Sequence, residues 1–503
     1  MSEIPYRYEG AVPLGPIEPA YESLAPGEGS GVEVRVAGRI KLLRRQGRVA
    51  FANLRDSSGE LQLFADASRT ARFEEFTRLS VSDWIGAEGE IVRTKTGRVS
   101  VHVSRWTVLA PARRSAFGGW QGVRDIDTRY RQREVDLWAN DRVREIFSLR
   151  SKAVSTIRRL LDDRGFLEVE TPTLLPVPSG GHALPFSTRF NALGADFYLR
   201  IALELYLKRL VVGGFERVYE IGRVFRNEGL SPRHNPEFTM LEAYQAYADY
   251  GDIMELTEHL VAGAAEATLG RTELTYQDHP LDLTPPWRRA TMEELIAEET
   301  GEELSLELGR DELAARAGKL GVEAPDVGGA GAVLFEIYEK TVEPRIWDPV
   351  HVTDYPKEVS PLARDHRSRP GYVERFESVI AGRELANAFS ELADPDEQRR
   401  RLEAQALERE AGNEEAMRLD EEFLRALEYG MPPTGGLGLG IDRLVMLLAD
   451  APSIREVVLF PALRPLEPGR AGALDATSGI ADEQDAGEQD AGEQDAGGQD
   501  AGG

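Results

Sequence analysis

Cysteine is absent from the 503 residues of the chain, and its seven histidines are scattered rather than clustered. A chain without thiols forms no disulfide and no thiolate metal site. The sequence also lacks any run of about 18 apolar residues that could span a membrane, and its N-terminus lacks the basic start and apolar core of a secretory signal. We therefore expect a cytoplasmic protein with no membrane partner, in which any metal is hard and bound by oxygen.

Positive charge is in short supply, because 60 Lys and Arg stand against 86 Asp and Glu and leave a formal net charge of -26. The distribution is uneven: residues 31–114 hold 16 basic and 9 acidic residues, whereas residues 475–503 hold 9 acidic residues and no basic one. Binding of a phosphate backbone depends on local Lys and Arg rather than on the net charge. The basic segment is consistent with a polyanion bound near one end of the chain.

Hydrophobic patterning divides the chain into segments. Val32, Val34 and Val36 alternate with charged residues, and several later stretches repeat this period of two between turn residues. About five short strands, with a helical stretch near residues 70–79, suit a small closed barrel of the oligonucleotide-binding (OB) type, although the pattern alone also fits any small β domain. The predicted segments are a mobile arm at 1–30, the barrel at 31–112, a linker at 113–139, a second and larger domain at 140–466 and a disordered acidic EQDAG-repeat tail at 467–503.

The third segment of structure mixes helices and strands. Apolar residues from Val143 to Leu161 recur at steps of three and four, which predicts a helix that ends at Gly165. The segment FLEVETP then stops at Pro172, which places a strand end or a sheet edge there. Further predicted strands are 197–201, 217–220, 237–244 and 375–380, and the last predicted helix begins near Ile441. The fold class is therefore α+β.

The segment 225–244 reads FRNEGLSPRHNPEFTMLEAY. A guanidinium fork pairs with phosphate or carboxylate, a carboxylate accepts a hydrogen bond from an amino group, and a Phe ring offers a stacking face, although Arg-Asn-Glu is also found in structural salt-bridge loops. The segment resembles motif 2 of class II aminoacyl-tRNA synthetases, a strand-loop-strand hairpin that cradles ATP. The resemblance implies an ATP site formed by Arg226, Glu228, His234, Asn235 and Phe238.

A second stretch, GLGLGIDRLVMLL at 436–448, resembles motif 3 of the same family. Its glycines let the backbone pass close to a nucleotide, and a helix N-terminus near Ile441 favours anionic phosphate. The resemblance implies that Gly438 and Gly440 line the ATP site and that Arg443 meets the γ-phosphate. FLEVETP resembles motif 1, which implies a homodimer, and the sequence contains no G-x-x-x-x-G-K-[ST] phosphate loop.

A pocket for lysine needs buried carboxylates for the distal ammonium, a hydroxyl, and an aromatic wall for the methylenes. Within the family, the closest resemblance is to bacterial lysyl-tRNA synthetases, and it covers residues 32–465. It implies that Glu242, Tyr244 and Glu391 bind the side-chain ammonium of L-lysine, that Gly180 and Glu204 meet the α-amine, and that Arg226 meets the carboxylate. The same resemblance implies that Asn387 and Phe389 line this pocket.

The resemblance also implies that Glu377 and Glu384 bind Mg²⁺. In the barrel it implies an anticodon site for tRNA(Lys), with Phe51 stacking on a base, Gln62 reading a base edge, and Arg44 or Arg45 contacting phosphate or base. The alternative for Phe51 is a place in the barrel core. His182, Leu184 and Ala393 depart from the residues that the family usually has at these positions.

These implications predict a two-step reaction in which ATP activates L-lysine to lysyl-adenylate and the lysyl group is then transferred to the 3′ end of tRNA(Lys). The main catalytic residues would be Arg226, Glu228 and Arg443. Two alternatives are a ligase that attaches lysine to a protein and an inactive RNA-binding paralogue. The basic segment at 31–114 argues against the first, and the presence of all the motifs argues against the second.

Overall fold

The structure is a computed structural model that describes residues 4–114, 125–178, 180–181, 183–229, 231–232, 234–410 and 416–466. The predicted tail at 467–503, residues 115–124 of the predicted linker and His182 lie outside these residues. The chain divides into two compact units, one formed mainly by residues 1–141 and the other by residues 142–463. No helix among the described residues is long and apolar enough to cross a membrane.

The first unit is built on a closed five-stranded barrel with the strand order β1-β2-β3-β5-β4. Its elements are α1 (Ile17–Ala20), β1 (Gly29–Gln46), β2 (Val49–Arg55), β3 (Glu60–Asp66), α2 (Phe73–Phe76), β4 (Trp84–Arg93), β5 (Val99–Ala110), α3 (Ile126–Arg131) and α4 (Arg133–Ala139). Alternate residues of β2 and β3 are buried, as the period of two predicts, and fill the barrel with small aliphatic side chains.

Two details of this unit differ from the sequence prediction. Leu14 and Ile17 lie in the segment for which we expected a mobile arm, yet both are buried in the barrel core. The helix near residues 70–79 is only the four-residue α2, because Thr70 is held in a turn: its hydroxyl accepts a hydrogen bond from the amide of Asp66 and donates one to the carbonyl of Val103.

The second unit contains an eight-stranded mixed sheet with the order β14-β15-β16-β17-β18-β11-β10-β6, and a smaller sheet with the order β7-β9-β8. Its strands are β6 (Leu167–Glu168), β7 (Leu174–Leu175), β8 (Ser187–Phe190), β9 (Ala195–Leu199), β10 (Arg217–Phe225), β11 (Glu237–Ala246), β12 (Glu273–Tyr276), β13 (His279–Asp282), β14 (Arg288–Thr291), β15 (Val350–Pro356), β16 (Tyr372–Ile380), β17 (Arg383–Ser390) and β18 (Thr434–Gly440). Most pairs are antiparallel, and β6/β10 and β14/β15 are parallel. The predicted α+β class is confirmed.

The helices of this unit are α5 (Asp141–Asp162), α6 (Glu204–Val212), α7 (Tyr250–Leu269), α8 (Met292–Thr300), α9 (Gly309–Lys319), α10 (Ala330–Thr341), α11 (Pro395–Glu410), α12 (Glu421–Leu427), α13 (Ile441–Leu448) and α14 (Ile454–Val457). Helices α5, α7 and α13 pack against one face of the large sheet, where Leu241 and Ala243 of β11 join the core. The other face of the same strands is left for the residues described next.

Candidate active site

The free face of the large sheet carries the predicted site residues in register. Glu242 of β11 lies opposite Gly438 of β18, Gly438 lies opposite Asn387 of β17, and Asn387 lies opposite Glu377 of β16. Because side chains alternate across a strand, Phe238, Met240, Glu242 and Tyr244 all point to this face. The sheet therefore brings residues that are far apart in the sequence, such as Glu242 of β11 and Gly438 of β18, onto one surface.

This face forms the floor of a cavity of about 750 Å³. The predicted residues of the second unit that line it are Gly180, Glu204, Arg226, Glu228, His234, Asn235, Phe238, Glu242, Tyr244, Glu377, Glu384, Asn387, Phe389, Glu391, Gly438, Gly440 and Arg443. One cavity thus brings together the ATP, lysine and metal residues that the sequence implied separately.

At one end of the cavity, the guanidinium of Arg226 lies 5.2 Å from the centre of the Phe238 ring. Such an arrangement is a cation–π contact and leaves the guanidinium edge available to an anion. Glu228 and His234 are exposed at the loop between β10 and β11. Asn235 has a different environment, because its side chain donates to the carbonyl of Glu237 at 2.6 Å and accepts from the amide of Ala462 at 3.1 Å. Its amide fixes the loop as well as lining the cavity.

Helix α13 places Arg443 beside the acidic residues of the cavity, where its guanidinium contacts the Glu384 carboxylate at 3.2 Å. The preceding residue, Asp442, is buried and ties three elements together: it accepts a hydrogen bond from the Thr239 amide at 2.6 Å and pairs with Arg150 at 2.5 Å. Neither Asp442 nor Arg150 stands out in the sequence, because their pairing depends on how α5 and α13 pack on β11.

Four glutamates meet near Arg443: Glu377 and Glu384, which we predicted, and Glu339 and Glu343, which we missed. Burial, with a contribution from the nearby Glu384 carboxylate, raises the pKa of Glu377 to about 8 and that of Glu343 to about 7. Among the described residues, no group of three or more His, Asp or Glu is arranged to hold an ion by itself. Mg²⁺ is commonly held by one or two carboxylates together with substrate phosphates, so these oxygen ligands fit a metal that arrives with a nucleotide.

The other end of the cavity contains three carboxylates close together. Glu242 accepts hydrogen bonds from the Leu203 amide at 2.9 Å and the Tyr244 hydroxyl at 3.1 Å. Glu391 is 1% exposed, and its Oε1 accepts no hydrogen bond from the described residues. Glu204 begins α6 on the facing wall. Burial raises the pKa of Glu242 to about 8, with a further contribution from Glu204, and burial also raises the pKa of Glu391 well above its ordinary value.

An unsatisfied buried carboxylate oxygen is costly unless a cation or donor joins it. With Phe389 and Tyr244 as aromatic walls, this end of the cavity is suited to an ammonium group on a flexible apolar stem. A substrate with a side-chain carboxylate would meet like charge here, because Glu204, Glu242 and Glu391 are the charged residues that line this end of the cavity.

Gly436 belongs to the glycine-rich stretch that we expected to lie beside a nucleotide, but it lies beside the carboxylate end of the cavity. A Cβ at this position would lie 1.9 Å from Glu391 Oε1 and 2.6 Å from the Tyr244 ring, whereas Cβ atoms at Gly438 and Gly440 would meet nothing closer than 3.6 Å. Gly436 therefore makes room for the carboxylate end of the cavity rather than for a nucleotide.

In the barrel unit, Phe51 lies on the outer, half-buried face of β2, so the alternative of a core position is wrong. Its ring is 5.3 Å from Phe64, which in turn is 4.6 Å from His102, and the three rings form a row. Gln62 lies on the same face and accepts a hydrogen bond from the Ser100 hydroxyl at 2.9 Å. Arg45 pairs with Glu74 at 3.0 Å, whereas Arg44 is exposed opposite Phe51.

The comparison with protein families matches both units. Residues 125–464 match the family model described as tRNA synthetases class II (D, K and N), and residues 34–109 match the model described as OB-fold nucleic acid binding domain. A lysine--tRNA ligase of Synechococcus sp. (strain CC9605) is 52% identical over 459 residues, which cover 90% of this chain and 91% of the relative. A lysine--tRNA ligase of Moorella thermoacetica is 51% identical over 460 residues, which cover 90% of this chain and 94% of the relative. With the matched model spanning most of the second unit, the chain belongs to the class II tRNA synthetases of the D, K and N group.

Proposed function

We propose that this chain is an enzyme that activates L-lysine with ATP and transfers the lysyl group to tRNA. The main support is the cavity. Three buried or half-buried carboxylates lie at one end of it, and one of their oxygens, Glu391 Oε1, accepts no hydrogen bond from the described residues. The Arg226–Phe238 pair lies at the other end. The names of the relatives, all lysine--tRNA ligases, agree with this reading.

In the first step, Glu242 and Glu391 bind the side-chain ammonium and Glu204, with the backbone at Gly180, binds the α-ammonium. Arg226 then holds the lysine carboxylate and the α-phosphate of ATP next to each other, while Phe238 stacks on adenine and Glu228 accepts from its amino group. The carboxylate attacks the α-phosphorus, the bond to the bridging oxygen breaks, and pyrophosphate leaves. Catalysis is by positioning and charge stabilisation, so no side chain has to act as a nucleophile.

Glu377 and Glu384 are the residues that would hold Mg²⁺, and their carboxylate oxygens are the ligands that this ion prefers. Bound there, Mg²⁺ would neutralise charge that develops on the departing pyrophosphate. Arg443, which contacts Glu384, lies where it would meet the γ-phosphate from the protein side.

In the second step, a terminal ribose hydroxyl of tRNA attacks the adenylate carbonyl and AMP leaves. The OB-type barrel supports recognition of tRNA(Lys) at the anticodon, with the exposed face of Phe51 as a stacking surface and Gln62 and Arg44 beside it. Arg45 is the weaker candidate because Glu74 already neutralises it. We place the reaction in the cytoplasm, where charged tRNA is consumed by translation.

We also propose that the chain forms a homodimer through the region of motif 1. Leu167 of the edge strand β6 is exposed, and the second unit also exposes large apolar side chains on the small β7-β9-β8 sheet and in loops: Leu174, Phe190, Leu193 and Phe215. Exposed apolar side chains and an open sheet edge are features of interaction surfaces.

The first test is pyrophosphate exchange with each of the amino acids. We expect exchange with lysine and none above background with aspartate or asparagine, because those side chains bring no ammonium to Glu242 and Glu391. Arg226→Ala should lower lysine-dependent exchange by about a hundredfold to a thousandfold, the loss typical of removing a charge-stabilising donor. Arg223→Ala is the matched control, because the Arg223 side chain is exposed on the preceding strand and pairs with Glu237 at 3.5 Å. Full exchange by Arg226→Ala, or a preference for aspartate, would contradict the proposed function.

A further inference from the structure

Lys208 lies behind the carboxylate end of the cavity, and no accessible part of its side chain remains. It belongs to α6, one helical turn after Glu204, and it is not among the residues that line the cavity. A lysine in this position is unusual, because lysine is almost never fully buried unless it is paired.

The ammonium of Lys208 is paired twice. Its Nζ lies 2.6 Å from Glu204 Oε1 and is in direct contact with Glu391 Oε2. The rings of Phe389 and Phe423 surround it, with centres 5.3 Å and 5.9 Å from Nζ. Lys208 therefore joins the carboxylate assigned to the α-ammonium of the substrate to a carboxylate assigned to its side-chain ammonium.

The net charge of the pocket indicates what this arrangement does. With Glu204, Glu242 and Glu391 ionised and Lys208 protonated, the pocket carries a net charge of minus two. The substrate brings two ammonium groups, and its carboxylate is directed to Arg226. The pocket with Lys208 matches the two positive charges, whereas without Lys208 it would hold one negative charge too many. In a buried site an uncompensated charge is strongly disfavoured.

We propose that Lys208 is a positioning residue of the lysine pocket: its buried ammonium orients Glu204 and Glu391 and, when the three carboxylates are ionised around the bound substrate, reduces their net negative charge from three to the two that the substrate ammonium groups neutralise. The proposal rests on the proposed function for the identity of the substrate. It assigns no contact between Lys208 and the substrate.

The groups that face this ammonium come from four elements. Glu204 is on α6, Glu391 follows β17, the two aromatic rings are on β17 and α12, and Glu242 with Tyr244 on β11 completes the surroundings of Glu391. Burial lowers the pKa of Lys208, but Glu204 and Glu391 more than offset this and raise it above its ordinary value. Burial raises the pKa of Glu391, and Lys208 acts in the opposite direction. Loss of the ammonium would thus raise the pKa of Glu391 further.

A buried ion pair is weak evidence for stability, since apolar residues of similar volume often replace it without loss. A purely structural role and the proposed role therefore predict different results for Lys208→Met. In the structural case only the stability changes. In the proposed case, Glu391 of the variant holds its proton more tightly than Glu391 of the wild type, because the Lys208 ammonium no longer lowers its pKa, and the bound substrate has to displace that proton.

The experiment compares the full-length wild type with Lys208→Met in lysine-dependent pyrophosphate exchange and in calorimetric titration with lysine. Titrations between pH 6.5 and 8.5, in buffers of different ionisation enthalpy, count the protons released. We expect the KM for lysine to rise by about tenfold to a hundredfold at pH 7, and this loss to shrink as the pH rises because Glu391 then ionises unaided. The KM for ATP should stay within about threefold, and lysine binding should release more protons than in the wild type.

Lys357→Met is the matched control, because Lys357 also bridges two carboxylates, Asp365 and Glu397, both at 2.9 Å, and does not line the cavity. Lys208→Gln serves as a second neutral variant in case Lys208→Met does not fold, and Lys208→Arg, which keeps the charge, should restore the wild-type proton count. The proposal would be overturned if a neutral variant kept the wild-type lysine affinity and proton release at every pH. It would also be overturned if Lys208→Arg folded and neither neutral variant did, because the role of Lys208 would then be structural. Absence of exchange with lysine in the wild type would instead overturn the proposed function.

Discussion

Gly436 shows how closely the carboxylate end of the cavity is packed. The nearest atoms to a Cβ at this position belong to Glu391 and Tyr244, both of which we assign to the substrate ammonium. A contact of 1.9 Å is far below any van der Waals separation, so one of the two side chains has to move if the glycine is replaced. The flexible end of Glu391 is the part that can yield.

We expect Gly436→Ala to raise the KM for lysine by about tenfold or more, because displacing a ligand by about 1 Å is enough to lose much of its interaction. The fold and the KM for ATP should change little, since Gly438 and Gly440 keep their places. Gly318→Ala is the control, because a Cβ at this helical position meets nothing within 4 Å. Steady-state exchange at varied lysine and varied ATP separates the two effects, and an equal rise in both KM values would contradict this assignment.

At the scale of single residues, the sequence motifs identify residues that line the cavity but not the residues that support them. Glu242 and Glu391 belong to recognisable motifs, and the cavity brings them together. Lys208, in the helical stretch LELYLKRL, looks like a surface lysine, and only the i, i+4 spacing from Glu204 hints at a pair. Its burial arises from α12 and Phe389, which are distant in sequence. His182 lies outside the described residues, and Ala393 packs against the apolar cluster of α6 and α12.

Among the elements, β6 has the least support from its neighbours. It contributes two residues to the edge of the large sheet, pairs with β10 on one side, and exposes 47% of Leu167. The predicted strand FLEVETP is present but short, and the following proline region leaves the sheet, as a residue without an amide donor requires.

If this edge meets a second copy of the chain, a charge placed there should weaken the dimer. We expect the wild type to have twice the mass of one chain in light scattering, and Leu167→Asp or Phe190→Asp to shift the mass toward one chain on dilution, because a buried unpaired charge costs several kcal/mol, on the order of 3–5. Leu407→Asp on α11 is the control, since Leu407 is 65% exposed and lies on another element. A wild type with the mass of a single chain would contradict the proposed interface.

Helix and strand positions in the second unit followed from periodicity where an element is amphipathic. The 3.6-residue repeat located α5, and alternation located β11 within two residues at its C-terminal end. Periodicity could not locate β18, because TGGLGLG alternates glycine with leucine and reads equally well as a loop. Register between strands was also beyond the sequence, although register is what sets Glu242, Gly438, Asn387 and Glu377 in one row.

At the scale of the whole molecule, the two units carry separate chemistry. The half-buried ring of Phe51 belongs to the barrel unit, whereas every residue assigned to ATP and lysine belongs to the other unit. Amino-acid activation and tRNA recognition should therefore respond to different substitutions. The predicted arm was wrong for residues such as Leu14, because a sequence rich in Pro and Gly gives no sign that a few apolar side chains close one end of a barrel.

We expect Phe51→Ala to lower kcat/KM for tRNA by about tenfold to a hundredfold, which corresponds to the roughly 1–3 kcal/mol of one base–aromatic stack. Lysine-dependent pyrophosphate exchange should be unchanged, because it needs no tRNA. Tyr6→Ala, which removes an exposed aromatic ring from the same unit, is the control. Aminoacylation and exchange assays on the same preparations provide the measurement, and a parallel loss of both activities would show that Phe51 serves the fold instead.

The single face of β11 also bears on how a family that is named for three amino acids can diverge. In the proposed function, Phe238 near the start of the strand binds the nucleotide, and Glu242 and Tyr244 further along the same face bind the amino acid. The residues of the second half of β11 can be substituted in evolution while those of the first half are retained. A switch of substrate charge would, however, have to alter Glu242, Glu391 and Lys208 together, because each of them is balanced against the others. Because the three residues have to change together, a single substitution is a poor way to change the amino acid that the pocket accepts.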